Sequence, residues 1–226
     1  MPMTFVTPQR TQSNISAPAF NQVLGTFNTH AGTGNTGRIH NIRLATQLIN
    51  GFILLPGDMF SFNEYIGNTT IEKGFMLGMG FEYGEQAQTA GGGVCQVSST
   101  LYNAAIRGGF EIVRRTSHSM KVGYVSAGFD AAIAYWGGRD LAFRNNRNVP
   151  IQIVGTVASN GRLTFEIRGV QTQAHIRYDF DVTGPVRFEY NGRNYQRYTK
   201  YRTVRDTRTG AIIEARRQFN TSVYRR

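Results

Sequence analysis

The sequence predicts an α+β fold, in which N-terminal helices and a cysteine-bearing helix pack on an antiparallel sheet. Two features predict it. Apolar residues recur at helical spacing in the first half of the chain, over residues 39–50 and again from Cys95. The second half consists of short β-rich runs separated by turn residues, without alternating helices, so its strands are expected to pair as hairpins. A C-terminal appendage rich in β-hairpins completes the predicted fold.

Each predicted helix has an apolar face and a glycine where it should end. The first covers residues 39–50, and Gly51 is placed to stop it. The second begins near Cys95 and ends at Gly108 and Gly109. The apolar residues that define the two faces are Ile42, Ala45, Leu48 and Ile49 in the first helix, and Val97, Leu101, Ala104 and Ala105 in the second.

The predicted strands follow the second helix and are bounded by turn residues. Strands are expected at residues 110–115, 121–125, 131–136, 141–145, 150–157 and 163–169. Ser159, Asn160 and Gly161 form a strong hairpin turn, and Asn191-Gly192 forms another. A further turn is expected near Thr209 and Gly210.

Composition and charge divide the chain into three predicted segments. Residues 1–20 form a polar N-terminal segment, 21–169 an α+β domain, and 170–226 a basic β-rich extension. The formal net charge is +11, and the extension alone holds 12 Lys and Arg against 5 Asp and Glu. Such a charge suits an anionic partner such as a cell-wall polymer, a membrane surface or nucleic acid. A solvated basic face without a dedicated partner is the alternative.

Several classes of protein and site are not predicted. No apolar run approaches the roughly 20 residues that span a bilayer, so no transmembrane segment is expected in this chain. The first 16 residues lack the apolar region of a signal peptide, so the protein either stays inside the cell or has lost a leader. No nucleic-acid motif, metal-ligand spacing or cofactor motif occurs in the sequence. We therefore expect no specific nucleic-acid partner, no metal and no cofactor. The sequence does not indicate an oligomeric state.

Cys95 is the sole cysteine, and it stands between a glycine loop and the start of a helix. An intrachain disulfide and a Cys-rich zinc site are therefore excluded. The amides and positive dipole end of a helix N terminus lower a thiol pKa, and the N–H groups of Cys95 and Gln96 can bind an oxyanion. This pattern predicts a nucleophile with Gly92, Gly93, Gln96 and Ser98 as substrate-binding residues. The alternative is a packed thiol beside a tight turn.

A nucleophilic thiol needs a base, and His118 is the predicted one. The helix from Cys95 is about 20 Å long, and an antiparallel strand of similar length would return His118 to the cysteine end. Asp130 is the predicted orienter of the imidazole, with Asp140 as second choice. Either aspartate could instead cap its own turn. The order Cys, His, Asp is similar to that of papain-like and transglutaminase-like enzymes.

Five stretches of the chain resemble one family of bacterial proteins. They are PGDMFSFNEYIG, GGGVCQVSSTLYNAA, SHSMKVGYV, DAAIAYWGGRDLAFRNN and VPIQI. In this order, across about residues 25–169, they resemble the VanW family, which is associated with glycopeptide resistance. The resemblance implies a bacterial cell-wall context and an envelope or extracellular location.

The resemblance and the cysteine chemistry together predict a function. We expect a cysteine-dependent acyl-transfer or amide-hydrolysis enzyme that acts on peptidoglycan peptides, with peptidoglycan or an anionic wall polymer as partner. The alternative is a non-enzymatic module that binds cell-wall peptide or glycan, or an envelope scaffold, in which Cys95 is a packing residue.

Overall fold

The structure is a computed structural model that describes residues 20–34, 36–82, 85–170 and 175–226. It confirms the α+β class. The helices are Thr36–Ile49 (α1), Phe62–Ile66 (α2) and Val94–Arg107 (α3), with a 3-10 turn at Ile71–Lys73. The strands are Gln22–His30 (β1), Ile53–Leu54 (β2), Met59–Ser61 (β3), Leu77–Glu82 (β4), Glu85–Ala90 (β5), Glu111–Arg115 (β6), Leu141–Arg144 (β7), Ile151–Val157 (β8), Arg162–Gly169 (β9), Ile176–Tyr190 (β10), Arg193–Asp206 (β11) and Ile212–Arg225 (β12).

The strands pair in antiparallel fashion throughout the described sheets. One sheet has the order β1-β9-β8-β2, a second β3-β7-β6, and a third, the C-terminal sheet, β10-β11-β12. β4 and β5 form a separate hairpin. The predicted hairpin turns at Gly161, Asn191-Gly192 and Gly210 are confirmed, and all four residues have positive φ angles between 48° and 83°.

The cysteine-bearing helix α3 lies at the centre of the molecule. Its apolar side chains join residues of the four-stranded sheet, such as Phe165, in one buried cluster. α3 crosses β1 closely, because a Cβ on Gly25 would lie 2.3 Å from the Ala104 carbonyl oxygen. Every residue from Gln96 to Ile106 is buried. The helix is therefore held rigidly, which fixes the position of Cys95 at its first turn.

The glycine loop before α3 is a packed turn. Gly93 caps the helix in a left-handed conformation with φ 105°, and the Val94 N–H donates to the Gly91 carbonyl at 3.0 Å. The Asn41 side chain, on α1, donates to the Gly92 carbonyl at 3.0 Å. A Cβ on Gly92 would lie 2.0 Å from the Gly78 carbonyl oxygen of β4. Glycine is thus required here so that β4 and α1 can approach the start of α3.

Two predicted strands are wrong. Residues 121–125 and 131–136 form no strand, and the second range takes part only in the isolated bridges Thr116–Ala132 and Ala134–Arg139. For the second range the reason lies in α3, whose polar side chains bond to the backbone of Phe129 and Ala131 at the start of that range. β1 is a strand that the sequence patterns did not predict.

The C-terminal sheet packs on the end of α3. The Tyr102 hydroxyl accepts from Lys200 Nζ at 2.9 Å and from Asn220 Nδ2 at 2.7 Å. The predicted division of the chain after residue 169 stays a prediction, as does the segment 1–20, of which Phe20 alone is described.

Candidate active site

Cys95 is the second residue of α3 and is partly exposed. Its backbone N–H lies in the first turn, where no carbonyl of the helix can accept it. The thiol Sγ is 3.6 Å from the carbonyl oxygen of Ile133. The sulfur therefore sits at the positive end of the helix dipole, beside the loop that follows Asp130.

The structure brings His118 and Asp130 together and places both beside Cys95. His118 Nδ1 is 2.7 Å from Asp130 Oδ2, and the His118 backbone N–H donates to the same oxygen at 2.6 Å. The His118 ring and the Cys95 thiol also interact, because each shifts the pKa of the other. Since Nδ1 is engaged by Asp130, the interaction with the thiol falls to the other ring nitrogen, Nε2. Asp130 thus holds the imidazole that acts on Cys95.

Polar side chains of α3 hold the Asp130 segment in place. Ser98 Oγ donates to the Ala131 carbonyl at 2.6 Å, and Ser99 Oγ accepts from the Ala131 N–H at 2.9 Å. Asn103 Nδ2 donates to the Phe129 carbonyl at 2.6 Å. The helix that carries the thiol therefore also fixes the backbone on both sides of the aspartate.

The Asp130 carboxylate is 1% exposed and accepts four hydrogen bonds. Two come from His118 to Oδ2. The other two reach Oδ1, from Arg115 Nη2 at 3.0 Å and from the Tyr224 hydroxyl at 2.5 Å. A buried carboxylate with this many donors remains ionised, so it stabilises a positive charge on the imidazole.

The pKa shifts in this cluster favour a thiolate and an imidazolium. Burial raises the pKa of the Cys95 thiol, but the His118 hydrogen bond and the charges of His118 and Arg38 outweigh it, and the pKa falls below its ordinary value. Burial lowers the pKa of His118, yet hydrogen bonds to Asp130 and Cys95 raise it to about 9. Burial likewise raises the pKa of Asp130, while His118 and Arg115 lower it to about 2. Both shifts favour an ion pair of the kind that activates a cysteine nucleophile.

Arg38 is a charged member of the site that the sequence patterns did not single out. It lies on α1, donates to the Met79 carbonyl at 3.2 Å, and is hydrogen-bonded to Gln96 Oε1. Gln96 in turn donates to Thr29 Oγ1 at 2.9 Å. The Arg38 guanidinium is 5.9 Å from the centre of the Tyr124 ring. That ring also packs edge-on against the His118 ring, with 6.5 Å between the two ring centres. Arg38 is thus anchored where its charge stabilises the thiolate.

The four predicted substrate-binding residues all lie around Cys95, and all are buried. Gln96 and Ser98 have fully buried side chains that bond to protein groups, and the Gln96 N–H donates to the Gly93 carbonyl at 2.9 Å. Gly92 faces β4, and Gly93 faces α1. These contacts position the turn and Arg38, so the Cys95 N–H is the backbone donor left for an oxyanion. Substrate binding by the four residues stays a prediction.

Asp140, the second choice for the orienter, lies in a different cluster. It accepts from Ser61 Oγ at 2.8 Å and from the Asn63 N–H at 3.0 Å. Arg114 is 3.6 Å away, on β6. Asp140 therefore fastens the start of α2 to β7.

The residues that sequence reasoning missed carry faint signals. Arg38 lies one helical turn before the buried Ile42, and an arginine on the apolar side of a helix is unusual. Ser222 and Tyr224 are two residues apart in β12 and so lie on the same face of the strand. Nothing in the sequence shows that this face contacts Asp130. Such long-range contacts are visible in the folded chain alone.

A cavity of about 650 Å³ lies between β6 and the C-terminal sheet. Its walls include Tyr178, Arg202, Glu214 and Arg217, together with Arg115.

Across the described ranges, no group of three His, Cys, Asp or Glu could hold a metal ion. None of the helices described here is long and apolar enough to cross a membrane.

Comparison with known proteins places the chain in a family. The family model described as "VanW like protein" matches residues 37–168, which is more than half of the chain. The chain belongs to the VanW family. The matched residues include Cys95, His118 and Asp130, whereas Tyr224 and the C-terminal sheet lie beyond them.

Two curated bacterial proteins are related to the chain in sequence. The chain is 41% identical over 144 residues to "Uncharacterized protein YoaR" of Bacillus subtilis, covering 64% of this chain and 47% of that relative. It is 28% identical over 121 residues to "Vancomycin B-type resistance protein VanW" of Enterococcus faecalis, covering 51% of this chain and 44% of that relative. The chain thus matches less than half of each VanW-family relative. No solved structure matches it significantly.

Proposed function

We propose that this VanW-family chain is a cysteine-dependent acyl-transfer or amide-hydrolysis enzyme of the bacterial cell envelope. The observation that supports it is the His118–Asp130 pair, with Nδ1 and Oδ2 2.7 Å apart, together with the pKa of the Cys95 thiol, which His118 lowers. Peptidoglycan peptides are the proposed substrates. This substrate class follows from the family resemblance and from the vancomycin resistance named for the Enterococcus faecalis relative.

The proposed reaction starts from the thiolate and the imidazolium. The Cys95 sulfur attacks the carbonyl carbon of an amide and forms a C–S bond, while the carbonyl oxygen becomes an oxyanion. The Cys95 N–H and the positive end of α3 stabilise that charge. His118 then gives its proton to the leaving nitrogen, the C–N bond breaks, and a thioester remains.

The second half of the reaction releases the enzyme. Water attacks the thioester in hydrolysis, and an amine attacks it in transfer. The attacking group gives its proton to His118, the C–S bond breaks, and the thiolate and imidazolium are restored. Asp130 stays ionised throughout, because its role is to orient the ring and to stabilise the positive charge.

The proposal is tested by trapping the thioester. The protein is incubated with stem peptides from digested peptidoglycan, and its intact mass is measured before and after hydroxylamine. We expect a mass increase that hydroxylamine removes, and its loss in Cys95→Ala and His118→Gln. His40→Gln is a matched control, because His40 lies on α1 and its Nε2 contacts the Gly74 carbonyl at 2.8 Å. Peptide turnover that persists in Cys95→Ala would refute the proposal.

A non-enzymatic wall-binding module is the second candidate. The large cavity favours it, because that cavity lies beside the C-terminal sheet and is lined by three arginines, Arg115, Arg202 and Arg217, against one acidic residue, Glu111, on β6 and one, Glu214, that pairs with two of them. Its test is sedimentation with purified cell wall at low and high salt. Salt-sensitive binding by both the wild-type chain and Cys95→Ala, without any thioester, would support this candidate over the enzyme.

A further inference from the structure

The C-terminal strand β12 reaches into the candidate active site through Tyr224. This side chain is 1% exposed. Its hydroxyl is 2.5 Å from Asp130 Oδ1, and it accepts the Gly128 N–H at 2.7 Å. Since one lone pair of the hydroxyl receives the Gly128 N–H, its own proton points to Asp130. The hydroxyl is therefore a fixed donor to the carboxylate.

The same strand also fixes the second donor to Oδ1. Ser222 lies two residues before Tyr224, so both side chains lie on one face of β12. Ser222 Oγ accepts from Arg115 Nη1 at 2.8 Å, and Arg115 Nη2 donates to Asp130 Oδ1 at 3.0 Å. Arg115 Nε donates to the Asp130 carbonyl at 2.7 Å. β12 thus supplies one donor to Oδ1 and one anchor of the other donor, whereas Oδ2 accepts from His118.

We propose that Tyr224 is a positioning residue of the Cys95–His118–Asp130 site. It locks the orientation of the Asp130 carboxylate, and through it the imidazole that serves the thiol. This inference rests on the proposed function and deepens it, because it makes the C-terminal sheet part of the site. Without the hydroxyl, the Gly128 N–H and one position on Oδ1 lose their partner. The carboxylate then keeps three of its four hydrogen bonds, so its orientation, and with it that of the ring, is held less firmly.

Substitution of Tyr224 by phenylalanine tests geometry, because it leaves every charge near the thiol in place. The charged and titratable groups that face Asp130 are Arg115 on β6, His118 and Tyr124 in the following loop, Tyr102 on α3 and Lys200 on β11. Those that face Cys95 are His118, Arg38 and Tyr124. A change in the pH profile of the thiol in Tyr224→Phe therefore reports a displaced imidazole.

The experiment measures the rate of Cys95 alkylation by iodoacetamide as a function of pH, in the full chain. We expect Tyr224→Phe to shift the midpoint upward by about one pH unit, which lowers the rate about tenfold at pH values below the wild-type midpoint. The rate at high pH, where all the thiol is ionised, should stay the same. General loosening of the structure would instead raise the rate at every pH. Tyr198→Phe is the matched control, since Tyr198 packs at 5.7 Å from the Tyr224 ring and bonds to Gln196.

Circular dichroism shows whether each variant is folded. If Tyr224→Phe does not fold, Ser222→Ala replaces it, because that change frees one anchor of Arg115 and should shift the midpoint in the same direction by a smaller amount. If the wild type has a low midpoint and the folded variants have the same one, the inference about Tyr224 is overturned and the proposed function is not. A wild-type midpoint like that of an ordinary cysteine would instead refute the proposed function.

Discussion

Two buried aspartates of this molecule have similar surroundings in sequence and different ones in space. Asp130 and Asp140 are 1% and 4% exposed, and each precedes a short run of apolar residues. Asp140 is bound by Ser61 and Asn63, and it joins α2 to β7. Asp130 is bound by His118, by Arg115 and by Tyr224, which is 94 residues away. The donors that the fold brings to each carboxylate, not its local sequence, therefore decide which aspartate can orient a histidine beside a thiol.

The largest expected effect separates the two aspartates by chemistry. Asp130→Asn should lower thioester formation on the order of 10³-fold, because an amide cannot stabilise the imidazolium or hold the same ring tautomer. Asp140→Asn should leave the rate within about threefold of the wild type, since its donors do not touch His118. Single-turnover mass spectrometry measures both. Equal losses in the two folded variants would erase the distinction.

The second expected effect concerns stability in acid. The pKa of Asp130 is lowered from 3.8 to about 2 in the folded chain. A lowered pKa contributes stability that is present above the unfolded pKa and is lost as pH falls through the folded one. We therefore expect roughly 2.5 kcal/mol of unfolding free energy to disappear between about pH 4 and pH 2. Urea unfolding at several pH values measures this.

Two variants make the acid experiment specific. Asp130→Asn should lack this part of the acid dependence, so a curve identical to the wild type would contradict the assignment. His118 gives the opposite sign, because its pKa is raised to about 9. Its stabilisation is present below about pH 6.5 and is lost as pH rises through 9. His118→Gln should therefore flatten the alkaline side.

The smallest expected effect lies in the Asp140 cluster. Ser61 caps α2 by accepting the Glu64 N–H at 3.2 Å, and it donates to Asp140 at 2.8 Å. Ser61→Ala should cost about 1–2 kcal/mol of unfolding free energy without changing the thiol pH profile. Ser159→Ala, at an exposed hairpin turn, should cost less than about 0.5 kcal/mol. A shifted thiol profile in Ser61→Ala would show that the two aspartate clusters are coupled.

The sequence predicted most of the fold where local patterns dominate. The strands after Phe110 and their hairpin turns follow from β-rich runs and from Gly161 and Gly192, whose φ angles are positive. Residues 121–125 and 131–136 were predicted wrongly as strands. At the start of the second range, side chains of α3 bond to Phe129 and Ala131 in place of a neighbouring strand, and no local pattern reveals such a contact.

The site was predictable to the extent that its chemistry is local. Cys95 stands out because glycines and a helix start surround it, and His118 follows from strand length. The choice between Asp130 and Asp140 needed the path of the chain after His118, which is irregular. Arg38 and Tyr224 join the site across long sequence separations, so single-sequence patterns did not find them.

The measurement that tests the central claim most directly is the ionisation of the single thiol. The ultraviolet absorbance of the thiolate is followed against pH in the wild type and in His118→Gln. The predicted wild-type midpoint lies below the value of about 8.5 for a free cysteine, and it rises in His118→Gln. A wild-type midpoint at or above that value, or one that His118→Gln leaves unchanged, would contradict a thiol activated by His118.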